Sequence, residues 1–176
     1  MKRIYPMPIE TKRLLLRPFR PEDAPAMYDG WASDPVVTHF LTWPTHESVD
    51  ATRQVIDFWL ATEDPTWCIA LKETGVPVGS ISVVRAEGDT AEVGYCIARA
   101  YWGQGIVPEA FGALIDALFD TFGAKEITAK HDTENPNSGR VMQKCGLRFV
   151  EIRERYAENN LGLRDMAMYS LKKEDL

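Results

Sequence analysis

Residues 90–111 read TAEVGYCIA, RAYWGQG and IVPEAF in succession, which are the patterns of a strand, a glycine turn and the start of a helix. Its first nine residues, Thr90–Ala98, carry strand signals, and the next seven contain two glycines. Apolar residues then stand three and four apart from Val107 to Phe122, which predicts a helix. A helix that follows a glycine turn presents unpaired backbone N–H groups at the positive end of its dipole. The stretch therefore predicts a binding site for a phosphate group.

The glycines of this turn, Gly103 and Gly105, fit only some phosphate-binding motifs. The third glycine of a dinucleotide fingerprint would fall on Pro108, and no Gly-Lys-Ser or Gly-Lys-Thr follows as in a Walker loop. Nicotinamide cofactors and ATP hydrolysis are therefore disfavoured. Two glycines are equally consistent with a tight turn that binds nothing, because glycine is common wherever φ is positive.

Strands and helices are predicted on both sides of this unit. The other strands are Arg13–Arg17, Trp67–Leu71, Val76–Val84, Lys125–Lys130, Arg148–Arg155 and Met166–Leu171. The other helices are Pro21–Ala32, Ser48–Thr62 and Asn137–Lys144. The strands from Trp67 to Ala98 are separated by short turns and predict an antiparallel meander. Strands at both ends with helices between them predict an α+β fold with a mixed sheet.

The composition bounds the organisation and the partners. The chain has 176 residues, 45% of them hydrophobic, which predicts one domain spanning residues 1–176 with a sizeable core. The net charge of −6 disfavours nucleic acid as a partner and favours a cationic substrate. No apolar run approaches the length of a membrane span, so no membrane partner is expected.

Cysteine and histidine usage indicates the compartment and disfavours a metal. Cys68, Cys96 and Cys145 are odd in number and lack CxxC spacing, so neither a disulfide framework nor a structural zinc site is expected. A reducing compartment, the cytoplasm, is the expectation. The three histidines have no acidic or cysteine partner at ligand spacing, and no metal is expected.

Five ordered motifs carry a resemblance to a known family. They are TKRLLLR at 11–17, EVGY at 92–95, WGQG at 102–105, NPNSGRVMQKCG at 135–146, and Asp165 near Tyr169. The chain resembles the Gcn5-related N-acetyltransferase (GNAT) family, and within it the RimJ/RimL-like branch that acetylates the N-termini of ribosomal proteins. The resemblance implies an antiparallel meander followed by a splayed parallel pair of central strands flanked by helices. Ala100 departs from the Gln or Arg that begins the family's cofactor loop.

The resemblance implies acetyl-CoA as co-substrate, with pantetheine pairing along the strand edge and phosphates on the glycine turn. The residues expected to contact it are Cys96, Ile97, Ala98, Trp102, Gly103, Gln104, Gly105, Ile106, Val107, Asn135, Ser138 and Lys144.

Acetyl transfer to an amine needs a neutral amine and a proton for the leaving thiolate. Glu92 is the predicted base, with a solvated surface charge as the alternative. The resemblance places Asn135 on the pantetheine arm and Ser138 near the sulfur as proton donor, although both could simply cap a helix. Met142 stands where many relatives have a tyrosine that donates this proton.

The acceptor pocket is expected to contain Phe40, Trp43 and Trp67, although core packing is the more common role for at least one such aromatic. Cys96 could suggest an acyl-cysteine intermediate, but no histidine stands near it in sequence, so packing is favoured.

The predicted reaction is direct attack of a primary amine on acetyl-CoA in a ternary complex. A protein or peptide N-terminal α-amine is the expected acceptor. The alternatives are a small-molecule amine such as an antibiotic, polyamine or amino acid, and a non-catalytic acyl-CoA-binding sensor. A monomer and a homodimer are both compatible with the sequence.

Overall fold

The computed structural model describes residues 1–176 and contains one eight-stranded sheet. Its strands are β1 (Ile9–Glu10), β2 (Leu14–Pro18), β3 (Thr66–Leu71), β4 (Pro77–Glu87), β5 (Thr90–Ile97), β6 (Glu126–Asp132), β7 (Arg148–Asn159) and β8 (Gly162–Lys172). The α-helices are α1 (Ala24–Met27), α2 (Pro35–Thr38), α3 (Val49–Thr62), α4 (Ile106–Asp120) and α5 (Pro136–Lys144). Short 3-10 segments cover Pro21–Asp23, Arg99–Tyr101 and Lys173–Asp175.

The strand order is β1-β2-β3-β4-β5-β6-β8-β7, and β3, β4 and β5 form the predicted antiparallel meander. Only β5 and β6 are parallel, and they pair only where Thr90–Glu92 meets Glu126–Thr128. The two strands separate beyond that point and leave an opening in the middle of the sheet. The predicted α+β fold with a splayed central pair is therefore confirmed.

The two faces of the sheet bury cores of different size. Helix α4 covers one face, where Phe111, Leu114 and Leu118 are fully buried in a cluster of 26 residues. Helices α1 and α3 cover the other face, where the buried cluster has 10 residues and includes Trp31 and Ile56. The larger cluster makes the α4 side the stronger foundation for the turn that precedes this helix. No helix is both long and apolar enough to cross a membrane.

The predicted helix Pro21–Ala32 is helical but irregular. It consists of a 3-10 turn, then α1, then a π-helical segment at Tyr28–Ala32. The Tyr28 carbonyl accepts hydrogen bonds from both the backbone N–H and the hydroxyl of Ser33, at 3.1 and 2.6 Å. This double acceptance widens the last turn, and the short helix α2, which was not predicted, follows it.

The hairpin of β7 and β8 is longer than the predicted strands Arg148–Arg155 and Met166–Leu171. Its pairing register shifts between Phe149 and Glu151 and again between Arg153 and Ala157. Within the second shift Arg155 adopts a left-handed φ of 47°, and its N–H donates to Asp165 Oδ1 at 2.8 Å. At the hairpin tip the Asn160 N–H donates to the Leu41 carbonyl at 3.0 Å, so the tip contacts the loop after α2.

Candidate active site

A cleft of about 1600 Å³ opens where β5 and β6 separate. One wall, here called the cofactor wall, is formed by the 99–108 turn and the start of α5. The opposite wall, here called the acceptor wall, is formed by the segment around α2, residues 35–43, and the end of the β7–β8 hairpin, residues 156–159. The sequence elements expected to bind acetyl-CoA and the amine thus lie around one cavity.

The glycine turn is built to receive an anion. Gly103 and Gly105 both have φ of 73°, in the left-handed region that favours glycine. The five consecutive N–H groups from Gly103 to Val107 find no acceptor within the protein. Helix α4 begins at Ile106, so Pro108 is its third residue. The N–H groups of the first turn have no partner within a helix, so proline at this position removes no donor that the helix would use. These residues fit the pyrophosphate of a CoA molecule.

A side-chain clamp fixes this turn from the far end of the chain. The Glu109 carboxylate accepts hydrogen bonds from Thr11 Oγ1 at 2.7 Å and from Arg13 N and Nε at 2.8 and 2.6 Å. Arg13 Nη1 donates to the Gln104 carbonyl at 2.9 Å. Burial opposes the charge on Glu109, but these hydrogen bonds outweigh it and lower the pKa of the carboxyl. The TKRLLLR motif, which in the sequence only carried a resemblance, therefore supports the cofactor turn.

The strand edge predicted for pantetheine needs a correction. The Ala98 N–H donates to the Val78 carbonyl at 2.8 Å, and the Cys96 carbonyl faces Gly79, where a Cβ would lie 2.4 Å from it. Both residues therefore direct backbone groups toward β4. Because successive residues point to opposite sides of a strand, the backbone groups on the open side belong to Val93, Tyr95 and Ile97. The Ile97 carbonyl already accepts from Trp102 Nε1 at 3.0 Å.

Asn135 and Ser138 begin α5 without capping it. Neither side chain makes the cap hydrogen bond that was the alternative to a cofactor role. Ser138 Oγ instead lies 3.0 Å from Tyr95 Oη, which also donates to the Ser138 carbonyl at 3.0 Å. Either hydroxyl can be the donor in this contact; when Tyr95 donates its one proton to the carbonyl, Ser138 donates to Tyr95 Oη. Burial raises the pKa of Tyr95, so its hydroxyl stays neutral.

The sequence did not single out Tyr95. Its strand alternation places it on the opposite face from Glu92, against Phe111 of α4. Because β5 and β6 separate, this face is nevertheless open to α5. Ser138 of α5, which lies 43 positions further along the chain, contacts Tyr95 there. Met142, at the position of the usual tyrosine, is buried in the core.

Glu92 lies in the cleft and forms an ion pair with Lys130 of β6. Its side chain is 14% exposed, so it is not the solvated surface charge of the alternative interpretation. Lys130 was not predicted, because it lies on β6, a strand that reaches β5 only through the parallel crossover. The pair fixes the Glu92 carboxylate at the point where β5 and β6 part.

Cys96 behaves as a packing residue. Its thiol is buried 3.2 Å from Ser80 Oγ, and burial raises the pKa of the thiol to about 11. A thiol in this state is protonated at neutral pH and is a poor nucleophile. This agrees with the interpretation that disfavoured an acyl-cysteine.

Two of the three predicted acceptor aromatics line the cleft. Phe40 and Trp43 lie on the acceptor wall, and the Trp43 ring packs 5.0 Å from the His46 ring. The placement of Trp67 was wrong. Trp67 is fully buried on the α4 face of β3 and donates its Nε1 proton to the Met7 carbonyl at 2.8 Å, while Thr66 faces the cleft.

Unpaired cations line the cofactor wall. Lys144 is exposed at the end of α5 and forms no ion pair, and Arg140 bonds only to Asn137 Oδ1. Both can approach phosphate groups. No group of three or more His, Cys, Asp or Glu side chains comes together in a way that could hold a metal ion.

Comparison with known proteins gives consistent matches over most of the chain. A family model of the acetyltransferase (GNAT) domain matches residues 13–148. The uncharacterized N-acetyltransferase p20 of Bacillus licheniformis is 30% identical, covering 94% of this chain and 96% of p20. The acetyltransferase (GNAT family) from Bacillus anthracis has a TM-score of 0.87 at 25% identity, over 96% of this chain and 99% of that one. Mycobacterium smegmatis RimJ, solved in complex with CoA-disulfide, shares the fold with a TM-score of 0.85 at 21% identity, over 100% of this chain and 92% of that one.

Proposed function

Because this chain belongs to the GNAT family of acetyl-CoA-dependent acetyltransferases, we propose that it acetylates primary amines, foremost the N-terminal α-amine of a protein or peptide. The observation that carries the proposal is the run of five unpaired N–H groups at Gly103–Val107, which ends at the cleft. When bound, acetyl-CoA supplies an activated thioester. The chain's own residues hold this co-substrate, align the amine and move two protons.

Binding is assigned to the cofactor wall. The N–H groups of the turn receive the pyrophosphate, Arg140 and Lys144 lie where further phosphate charge can be neutralised, and the open side of β5 pairs with the pantetheine amides. Asn135 has a free side-chain amide beside this path. Each contact orients the thioester toward the splay, which is the main catalytic contribution that positioning can make.

Glu92 is the base in this proposal. An α-ammonium group has a pKa of about 8 and no lone pair, so it must lose a proton before it attacks. Glu92 accepts that proton directly or through a water molecule, and Lys130 keeps the carboxylate at the splay. The free amine then attacks the thioester carbon directly, without an acyl-enzyme.

The Tyr95 and Ser138 hydroxyls act together in protonating the leaving thiolate. Ser138 gives a proton to the sulfur when its hydroxyl turns from Tyr95 to the cleft, and it regains a proton from solvent water in the cleft. Tyr95, which also bonds to the Ser138 carbonyl, holds the serine in place. A thiolate is a good leaving group, so this contribution is smaller than that of the base.

The acceptor assignment rests on the RimJ/RimL-like branch and on the open acceptor wall with its Phe40 and Trp43 side chains. An extended peptide terminus can enter such a cleft from solvent. A small-molecule amine that carries more than one cationic group is the second candidate, because the carboxylate of Asp64 lines the cleft without an ion pair.

The test is thiol release from acetyl-CoA with a panel of peptides and small amines. Glu92→Gln should lower turnover roughly 100- to 10,000-fold near neutral pH, with CoA affinity unchanged. The deficit should shrink as the pH rises toward the amine pKa, because the amine then loses its proton unaided. Glu151→Gln is the matched control, since Glu151 pairs with Arg153 on the exposed hairpin and neither residue lines the cleft.

A deficit that stays constant across this pH range would assign Glu92 a structural role. CoA binding without thiol release from any amine would favour the non-catalytic sensor.

A further inference from the structure

The floor of the cleft carries a row of small polar residues across three strands. Thr66 of β3 pairs in register with Ser82 of β4, and Ser82 pairs with Gly94 of β5. Thr66 Oγ1 and Ser82 Oγ are 2.8 Å apart, and all three residues line the cleft. Neighbouring strands lie 4.7–4.9 Å apart, so the row extends about 10 Å from the β5 side of the cleft.

Asp64 lies at the far end of this row. Its Oδ1 accepts a hydrogen bond from Thr66 Oγ1, its side chain is partly buried, and it lines the cleft without an ion pair. The other cleft carboxylates differ. Glu92 is paired with Lys130, and Asp132 and Glu134 are paired with Arg164. Glu158, also unpaired, projects from the exposed hairpin.

The cations of the cleft are distributed in the opposite way. Arg85 and Lys130 are neutralised by Glu87 and Glu92, whereas Arg140 and Lys144 are unpaired on the cofactor wall. The cleft therefore carries free positive charge where the phosphates of CoA are expected and a free carboxylate on the floor beyond β5. A carboxylate removed from bulk water attracts a cation more strongly than one on the open surface.

We propose that Asp64 selects acceptors that carry a second positive charge about 10 Å from the reacting nitrogen. The inference rests on the proposed function and names its substrate class. The reacting amine is placed beside Gly94, which has no side chain of its own and has Val84 Cγ1 as its neighbour, and becomes neutral before attack. The second group stays protonated and pairs with Asp64. The part of the acceptor between the two nitrogens lies along the Ser82 and Thr66 hydroxyls. A diamine and a peptide with a basic side chain near its N-terminus share this chemistry.

The experiment compares kcat/KM for matched acceptors. Straight-chain α,ω-diamines of increasing length are compared with monoamines of equal length, and peptides with Lys or Arg near the N-terminus with the same peptides carrying Gln. The wild-type protein should prefer the dication about tenfold, as for one charged hydrogen bond. The preference should peak at one chain length. Comparison of the amine series with the peptide series shows whether the natural dicationic acceptor is a small molecule or a peptide.

Asp64→Asn should remove the preference while monoamine turnover and CoA affinity stay unchanged. The hydrogen bond from Thr66 can persist in this variant, so the fold is retained. Glu63→Gln is the matched control, because the neighbouring Glu63 pairs with Arg3 outside the cleft. Since the length optimum is measured on the wild-type protein, the proposal is tested even if Asp64→Asn is unstable.

Two results would overturn the inference. One is equal kcat/KM for diamines and monoamines at every length. The other is a decrease in kcat/KM in Asp64→Asn that is the same for diamines and for monoamines. Absence of thiol release from every amine would instead overturn the proposed function. In that case calorimetric titration of the CoA-bound protein with the diamines still tests the Asp64 subsite, because binding requires no turnover.

Discussion

The cofactor wall and the acceptor wall are held in place by different means. The cofactor wall takes its shape from two left-handed glycines and from the clamp of Arg13 and Glu109, next to a helix anchored in the larger core. The acceptor wall depends on Asn160 at the hairpin tip. The Asn160 N–H donates to the Leu41 carbonyl, and its Nδ2 donates to the carbonyls of Thr38 and Trp43.

This difference indicates how the fold separates two tasks. The cofactor is the same in every turnover, and its site is built from backbone groups that few substitutions can alter. The two parts of the acceptor wall are joined through the single residue Asn160, over the smaller of the two cores. A few substitutions there can reshape the pocket without affecting the cofactor turn, since loops on a rigid scaffold carry specificity.

The largest effect is expected from breaking the cofactor turn. Gly105→Pro should weaken CoA binding about 100-fold, because proline cannot adopt φ of 73° and has no N–H to donate. Gly103→Val should act in the same direction through strain. Gln104→Ala is the control, since its side chain bonds only to the Ala100 carbonyl. Isothermal titration calorimetry with CoA measures all three, and unchanged affinity in both glycine variants would refute the assignment.

A smaller effect is expected at Ser138, where the cofactor wall meets the chemistry. Ser138→Ala should slow the single-turnover rate about tenfold without loss of CoA binding. Cys96→Ala should leave most of the activity, because its buried thiol only packs against Ser80. A lowered melting temperature with an intact rate in Ser138→Ala would assign the serine a structural role. An inactive Cys96→Ala would revive the acyl-enzyme mechanism.

The smallest effect is expected from loosening the acceptor wall. Asn160→Ala removes two hydrogen bonds to the α2 segment and should raise the KM for the acceptor about fivefold, with kcat and CoA affinity little changed. Leu161→Ala is the control, because its exposed side chain lies outside the cleft. Equal losses in CoA affinity and acceptor KM would show that the two walls are not independent.

The same division explains what the sequence could predict. The glycine turn and helix α4 carry local signals: residues that adopt positive φ and apolar spacing of three and four. The splay of β5 and β6 and the roles of Asn135 and Ser138 were expected only from the family resemblance. Side-chain partners from distant segments carry no such signal. Tyr95 meets Ser138 and Glu92 meets Lys130 only after the sheet has formed.

Trp67 illustrates a second limit. Strand β3 is buried on both faces, so its sequence TWCIAL has no polar alternation that would reveal which residues face the cleft. The direction of every side chain depends on register, and a shift of one residue reverses it. Pairing with β2 and β4 places Thr66 and Cys68 toward α3 and sends Trp67 into the opposite core.

The interrupted register of β7 affects whether this edge strand can pair with other chains at high protein concentration. An outer strand exposes a row of unpaired backbone groups on which another chain can grow a continuous intermolecular sheet. Here the row is broken at Phe149–Glu151 and at Arg153–Ala157, and the left-handed Arg155 turns the backbone out of line. The remaining segments are too short and too bent to template such growth. Growth of such a sheet on β7 is therefore disfavoured, although the strand exposes apolar side chains such as Val150 and Ile152.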